Sequence, residues 1–536
     1  MSVRNEPGKE DKMTKRSIRI LTFAAVALGL VCLSAAAAQM KERAQGYREY
    51  VNAMKITDFN ARIEELERIK AAYPQAKFLA LVDNALNAAR IALADSVEPI
   101  LELQKTGIQA AVGIGRVLVY YYSSMDILEH KNLAMFDKAR VTQAIRAYCE
   151  EGLKLSRDPE FLKSLLPDAE KYLKAHVPDL LIAEALAYLN EDNARRPMEI
   201  LDKFKQEGGL ADKVYHYASG KTYALLGKDQ EAFAAYLEAA VENYRNSVDR
   251  ARELFGRLHG GTEDFDALLE AKERELPFRA SPFKPTAGWM GKAVLAELFT
   301  GSECLPCLAA DLGFDGLIET YESKYLAVLE YHLPIPRPDP MMNHATRLRA
   351  QYYGVNSTPT AFFDGTKKTS GGGGRARAEE KYRQFSEEVD ALVLGAPAVK
   401  LGVQASLEGD TVVVEFNADK TGPGADFNLA LVQSEEKCRG GNGVVFHKMV
   451  VREFITLDEA ALRAGSFVIS LPASEAAAAE RVSIYEQEAS FTFPEKHSRI
   501  DRSKLRVVFF AQEKTSKEVL NAAVSEVKYL EKKINS

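Results

Sequence analysis

From about residue 41 to 276, apolar residues recur at three- and four-residue spacing, the period of amphipathic helices. Phe59, Ile63, Leu66 and Ile69 make one such stripe, and Leu79 to Leu93 carries a second. Pro74, Pro99, Pro167 and Pro178 fall where helices would begin or end. The helical texture stops at Pro277, and Ser281-Pro282-Phe283-Lys284-Pro285 interrupts any continuous helix, so residues 277–288 read as a linker. Beyond it the period shortens. Ala293 to Phe299 and Tyr325 to His332 are apolar runs of strand length, each followed by a helical pattern, which predicts an α/β unit over residues 289–396. Past residue 397, period-two alternation predicts strands over 399–406, 411–416, 427–432, 444–454, 467–471, 482–491 and 505–511. Short strands at this spacing predict an antiparallel β-sandwich over residues 397–536.

One helical stretch carries a finer pattern. Gly220, Tyr223, Gly227, Ala232, Tyr236 and Ala239 stand at the relative spacing of a tetratricopeptide repeat, in which small residues let two helices approach and aromatics fill the gap. Ala185 to Leu201 resembles a degenerate preceding copy. The helical part (41–276) therefore reads as a repeat-like solenoid with a partner-binding surface, or else as an unrelated helical bundle.

Composition narrows the class. The chain has 536 residues, 46% hydrophobic, 27% charged and 9% aromatic, an ordinary globular balance that excludes a collagenous or mostly disordered chain. A formal charge of −6 gives no basic face of the kind nucleic-acid binders carry. Lys15, Arg16 and Arg19 precede the uncharged run Ile20 to Leu33, and small residues follow through Ala38. That is the layout of a secretory signal peptide over residues 1–38, the alternative being an uncleaved anchor. Removing it takes away six basic and three acidic residues and leaves a charge of −9. The expected location is the periplasm, the cell envelope or the exterior, where disulfides persist.

Five cysteines are too few for a disulfide-stapled scaffold, yet Cys304-Leu305-Pro306-Cys307 brings two of them together between an apolar strand and a helical pattern. The first helical turn lends free N–H groups and the positive end of the helix dipole to a thiolate. A cysteine one turn on can attack a mixed disulfide. Pro306 suits a first turn, where its missing N–H costs nothing.

On this strand–CxxC–helix pattern and on Val355-Asn356-Ser357-Thr358-Pro359-Thr360, residues 290–395 resemble the thioredoxin-like superfamily. The layout as a whole is similar to outer-membrane-associated thioredoxin-like proteins. The resemblance implies a thiol–disulfide oxidoreductase with Cys304 as nucleophile and Cys307 as resolving residue. It implies that Pro359 is a cis-proline facing the dithiol, with Thr358 and Pro359 offering backbone for strand-like pairing with a substrate. Glu297 falls where the family often has a buried acid that moves protons for the resolving cysteine. No cofactor is implied. The partners would be proteins with thiols or disulfides, and a redox protein that supplies or accepts electrons.

Several features depart from the family pattern. Glu303 replaces the usual aromatic before the first cysteine, the segment after Leu333 is rich in proline, and Gly371–Gly374 interrupts the last strand and helix. That glycine run lacks the Gly-Lys-Ser/Thr of a phosphate cradle and reads as a flexible loop. The competing readings are a non-catalytic interaction protein with a vestigial dithiol, and a copper-binding protein. The copper reading would use Cys304, Cys307 and His332, with His344 a second histidine nearby in sequence. Cys149 and Cys438 read as inert thiols, the alternative being a bridge between them, which the sequence does not decide.

Overall fold

The computed structural model describes residues 45–285, 288–422, 424–489 and 492–529. The expected signal peptide lies outside the described residues. Among the described residues no helix is long and apolar enough to cross a membrane. Residues 45–274 are helical, and a mixed sheet region follows.

The chain divides into two compact units, one ending at Gly209 and the other beginning at Leu210. The first unit holds the helices from Phe59–Ala72 to Arg195–Gln206. Aspartates begin several of them by accepting a backbone N–H, as Asp58 does from Ala61 and Asp137 from Arg140. Cys149 is buried here, a free thiol donating to the Leu180 carbonyl.

The second unit opens with the helices Lys213–Leu225 and Asp229–Val241, the pair with repeat-like spacing. A Cβ on Gly220 would come within 2.8 Å of the Tyr236 ring, so the small residue is what lets the pair close. The two expected repeat copies fall on opposite sides of the boundary at 209/210. The structural division therefore comes well before the Pro-rich segment 277–288.

Among the described residues the sheet has eleven strands: β1 (Val294–Thr300), β2 (Leu326–His332), β3 (Thr360–Phe363), β4 (Lys367–Ser370), β5 (Leu401–Glu408), β6 (Thr411–Ala418), β7 (Ala425–Lys437), β8 (Phe446–Thr456), β9 (Ser466–Ser470), β10 (Leu505–Glu513) and β11 (Val519–Tyr529). Their order is β4-β3-β1-β2-β8-β7-β10-β11-β5-β6-β9. β1 and β2 are parallel, β3 and β4 antiparallel beside them, and β2 meets β8 at Glu330 and Val450. The strands after residue 397 thus continue the sheet that carries the dithiol.

Two cores share the middle strands. Leu429 and Leu431 of β7, with Val507 and Phe509 of β10, face a core completed by β5, β6 and β9. Their neighbours Ala430, Val432, Val508 and Phe510 face the other way, into the core of β1, β2 and the helices Leu308–Thr320 and Ala378–Val393. Successive strand residues point to opposite faces, so a strand buried on both sides must read as a continuous apolar run.

Residues 482–489, expected as strand, belong to the helix Leu471–Ala489. The alanine-rich run that precedes them is strongly helix-forming, and Val482 packs with Met342, Phe493 and Tyr485 as a helical face would. β11 was not among the expected strands.

Candidate functional site

β1 is buried along its whole length and delivers the chain to Gly301-Ser302-Glu303. Cys304 is extended, Leu305–Cys307 forms a single 3-10 turn, and Cys307 caps the helix Leu308–Thr320. The two cysteines form a disulfide with a Cα–Cα distance of 5.3 Å. The Thr358–Pro359 peptide is cis, as the resemblance implied.

Both sulfur-bearing residues are buried, Cys304 at 1% exposure and Cys307 at none, while Leu305 between them is 61% exposed. Three segments close around the pair. From the Pro-rich segment, Asp339 accepts the Ser302 N–H at 2.6 Å, and Thr300 accepts the Leu333 N–H. From the β7–β8 connection, Asn442 donates its backbone N–H to Ser302, and Gly441 donates to the Glu303 carboxylate at 2.9 Å. From the glycine run, Gly373 donates to the Pro306 carbonyl at 2.7 Å, and Ala309 donates back to Gly373 at 3.0 Å. The run read as a flexible loop is therefore bonded to the dithiol turn.

Glu297 is fully buried, but its partners draw it away from the dithiol helix. Arg349 grips both its carboxylate oxygens, at 2.7 and 2.9 Å, and the Tyr331 and Tyr353 hydroxyls donate to it as well. Thr300, three residues along β1, instead donates to Asp311 on the helix Leu308–Thr320. Residues three apart on a strand point to opposite faces. The expectation that Glu297 serves the resolving cysteine is thus corrected: it faces the helix His344–Tyr353, where its lone pairs are spoken for by a buried guanidinium.

The acid on the dithiol side is Asp311, one helical turn past Cys307. Burial pushes its carboxyl up to about 7, against the Thr300 hydrogen bond and His332, with Asp339 adding to the rise. Asn442 donates to its second oxygen at 3.2 Å. The sequence signal for it was an acid amid apolar residues in the first turn of that helix, Leu308-Ala309-Ala310-Asp311-Leu312. Glu330 and Asp315 close by are also raised, by burial first.

His332 lies at the end of β2 with no exposure, its Nδ1 2.9 Å from the Asp339 carboxylate. Burial works to raise Asp339, but His332 and the Ser302 and Met341 N–H groups outweigh it and hold the carboxyl low. His447 stacks edge-on to His332 at 4.9 Å, and burial followed by His332 pushes it down to about 3. Among the described residues no group of three or more His, Cys, Asp or Glu side chains is placed to hold a metal ion, and Cys304 and Cys307 are joined to each other. His344 opens the helix on the other face.

Thr358 is half-buried and donates its hydroxyl to the Ile335 carbonyl at 2.9 Å, and Pro359 is buried. Cys438 is a buried free thiol at the foot of the β7–β8 connection. No family model, curated protein or solved structure matches the chain.

Proposed function

We propose that this chain is an exported thiol–disulfide oxidoreductase with a thioredoxin-like unit around Cys304 and Cys307. The observation that carries the reading is the disulfide at the start of the helix Leu308–Thr320, with the cis Thr358–Pro359 bond leading into the neighbouring β3. A thiolate at Cys304 would be favoured by the helix N-terminus, and Cys307 is within reach to resolve a mixed disulfide. In this reading the helical residues 45–274 are a tetratricopeptide-like surface for a protein partner. Strands β5–β11 form a sandwich-like layer, and residues 1–38 direct the chain to the cell envelope or beyond.

The burial of both cysteines favours a second reading, a disulfide that only braces an interaction scaffold. One experiment separates the two. With Cys307→Ala in the producing cell, the first reading expects mixed disulfides on Cys304, recovered by non-reducing gel and identified by mass spectrometry. No trapped partner, together with a native disulfide that dithiothreitol leaves intact in the folded protein, would establish the scaffold instead.

A further inference from the structure

Exchange at this dithiol needs an incoming sulfur to line up with the Cys304 sulfur, and the folded chain has closed that path. One segment beside the dithiol turn is specifically placed. A Cβ on Gly372 would stand 1.8 Å from the Pro306 carbonyl oxygen and 3.0 Å from Pro359 Cγ, so the backbone of this one residue threads between the dithiol turn and the proline loop. No residue with a side chain fits there without moving the segment. The next residue bonds to the turn in both directions, Gly373 N–H to Pro306 and Gly373 carbonyl to the Ala309 N–H. The segment thereby takes up backbone groups of the dithiol turn and lies against the proline loop, along which an extended substrate would pair. It also occupies one of the N–H groups that a helix start would offer a thiolate.

We infer that Gly372 is a specificity-determining residue of this site: the segment Ser370–Gly374 lies as a strap where substrate backbone would run. A small dithiol then needs only a slight opening to reach Cys304, whereas a cysteine held in a polypeptide must first displace the strap. The inference rests on the oxidoreductase reading. In the reaction, a substrate thiolate attacks Cys304 and forms a mixed disulfide, the Cys304–Cys307 bond breaks, and Cys307 leaves as thiolate. The second substrate thiolate then attacks the mixed disulfide and releases Cys304. The two substrate sulfurs are oxidised to a disulfide, both cysteines are reduced, and the two protons of the substrate dithiol end on Cys304 and Cys307.

The test compares dithiothreitol with an unstructured peptide bearing two cysteines. Reduction of the Cys304–Cys307 disulfide in the full chain is followed by the mass shift of maleimide-labelled fragments. Each rate is normalised to the same disulfide in the urea-unfolded chain. The native protein should favour dithiothreitol, and Gly372→Ala should raise the peptide rate by about tenfold, the factor that loss of one or two backbone hydrogen bonds corresponds to. Equal normalised rates in the native protein, or a folded Gly372→Ala with an unchanged ratio, overturn the inference and leave the oxidoreductase reading standing. A native disulfide that neither reagent reduces overturns both. Should the variant not fold, amide exchange at Gly373 and Ala309 in the native protein measures strap opening. A peptide reaction faster than that opening overturns the inference as well.

Discussion

The Thr300 hydroxyl donates to the Asp311 carboxylate at 2.6 Å, tying the last residue of β1 to the helix that begins at the dithiol. Burial raises this carboxyl to about 7, whereas an unfolded chain loses the same proton near 4. Between those pH values the folded protein holds a proton that the unfolded chain has released. Stability therefore falls as pH rises through the window, and the loss is complete above about 7. Asp311→Asn should match the native protein in urea unfolding at about pH 4 and exceed it by roughly 4 kcal/mol at about pH 8, about three pKa units at about 1.4 kcal/mol each. Glu330 and Asp315 bias the native slope in the same direction, so the variant-minus-native difference is the informative quantity. A difference that does not grow with pH would assign the slope to those neighbours.

Asp339 is shared by the Ser302 N–H, the Met341 N–H and His332, all buried. Asp339→Ala strands three polar groups in the interior and should cost roughly 3 kcal/mol in denaturant titration. Because Ser302 belongs to the turn that enters the dithiol, the variant should also label faster at reduced Cys304 with a maleimide. Unchanged labelling would confine Asp339 to stability.

Glu297→Gln separates a structural acid from a proton carrier. Loss of the charge facing Arg349 should cost roughly 3 kcal/mol, since it leaves a guanidinium buried without its counter-charge. The rate of disulfide reduction, measured where the variant is still fully folded, should stay within about twofold of native, since general acid–base roles are worth far more than that. A large rate loss at full folding would return Glu297 to the redox chemistry.

Phe509 and Phe510 are adjacent, both fully buried, and belong to different cores. Each truncation to alanine should cost about 3–5 kcal/mol. The native melt should pass both cores through one transition, because β7 and β10 wall each of them. Residues 289–396 or 397–536 expressed alone should lack a cooperative melt by circular dichroism. A cooperative fragment would mean that one core closes without the other.

Much of this was legible along the chain. Helical periodicity located residues 45–274, and six of the seven expected strands lie within or largely overlap β5, β6, β7, β8, β9 and β10. The expected strand over 444–454 corresponds to β8, displaced by a few residues. The 482–489 stretch misled because its β-branched and aromatic residues mimic a strand, while the alanines before them propagate a helix that tertiary packing then keeps. The near-continuous apolar runs of β7 and β10 were visible too, but one-sided and two-sided burial cannot be told apart until both faces are covered.

By itself the sequence determined the local geometry of the dithiol: a strand, a Cys-x-x-Cys turn with proline in its first turn, and a helix, each set by period, propensity and the constraints of proline. Tertiary structure alone decided which buried acid lies on the dithiol side of β1, since only the packed sheet shows that Glu297 turns to the helix His344–Tyr353 while Thr300 meets Asp311. It also decided what covers the cysteines. Gly372 and Asn442 are distant in sequence, and nothing in the local chemistry of a glycine run says which carbonyl will lie 1.8 Å from a missing Cβ. Such close approaches arise from packing between segments far apart in the chain, and that packing exists only in the fold.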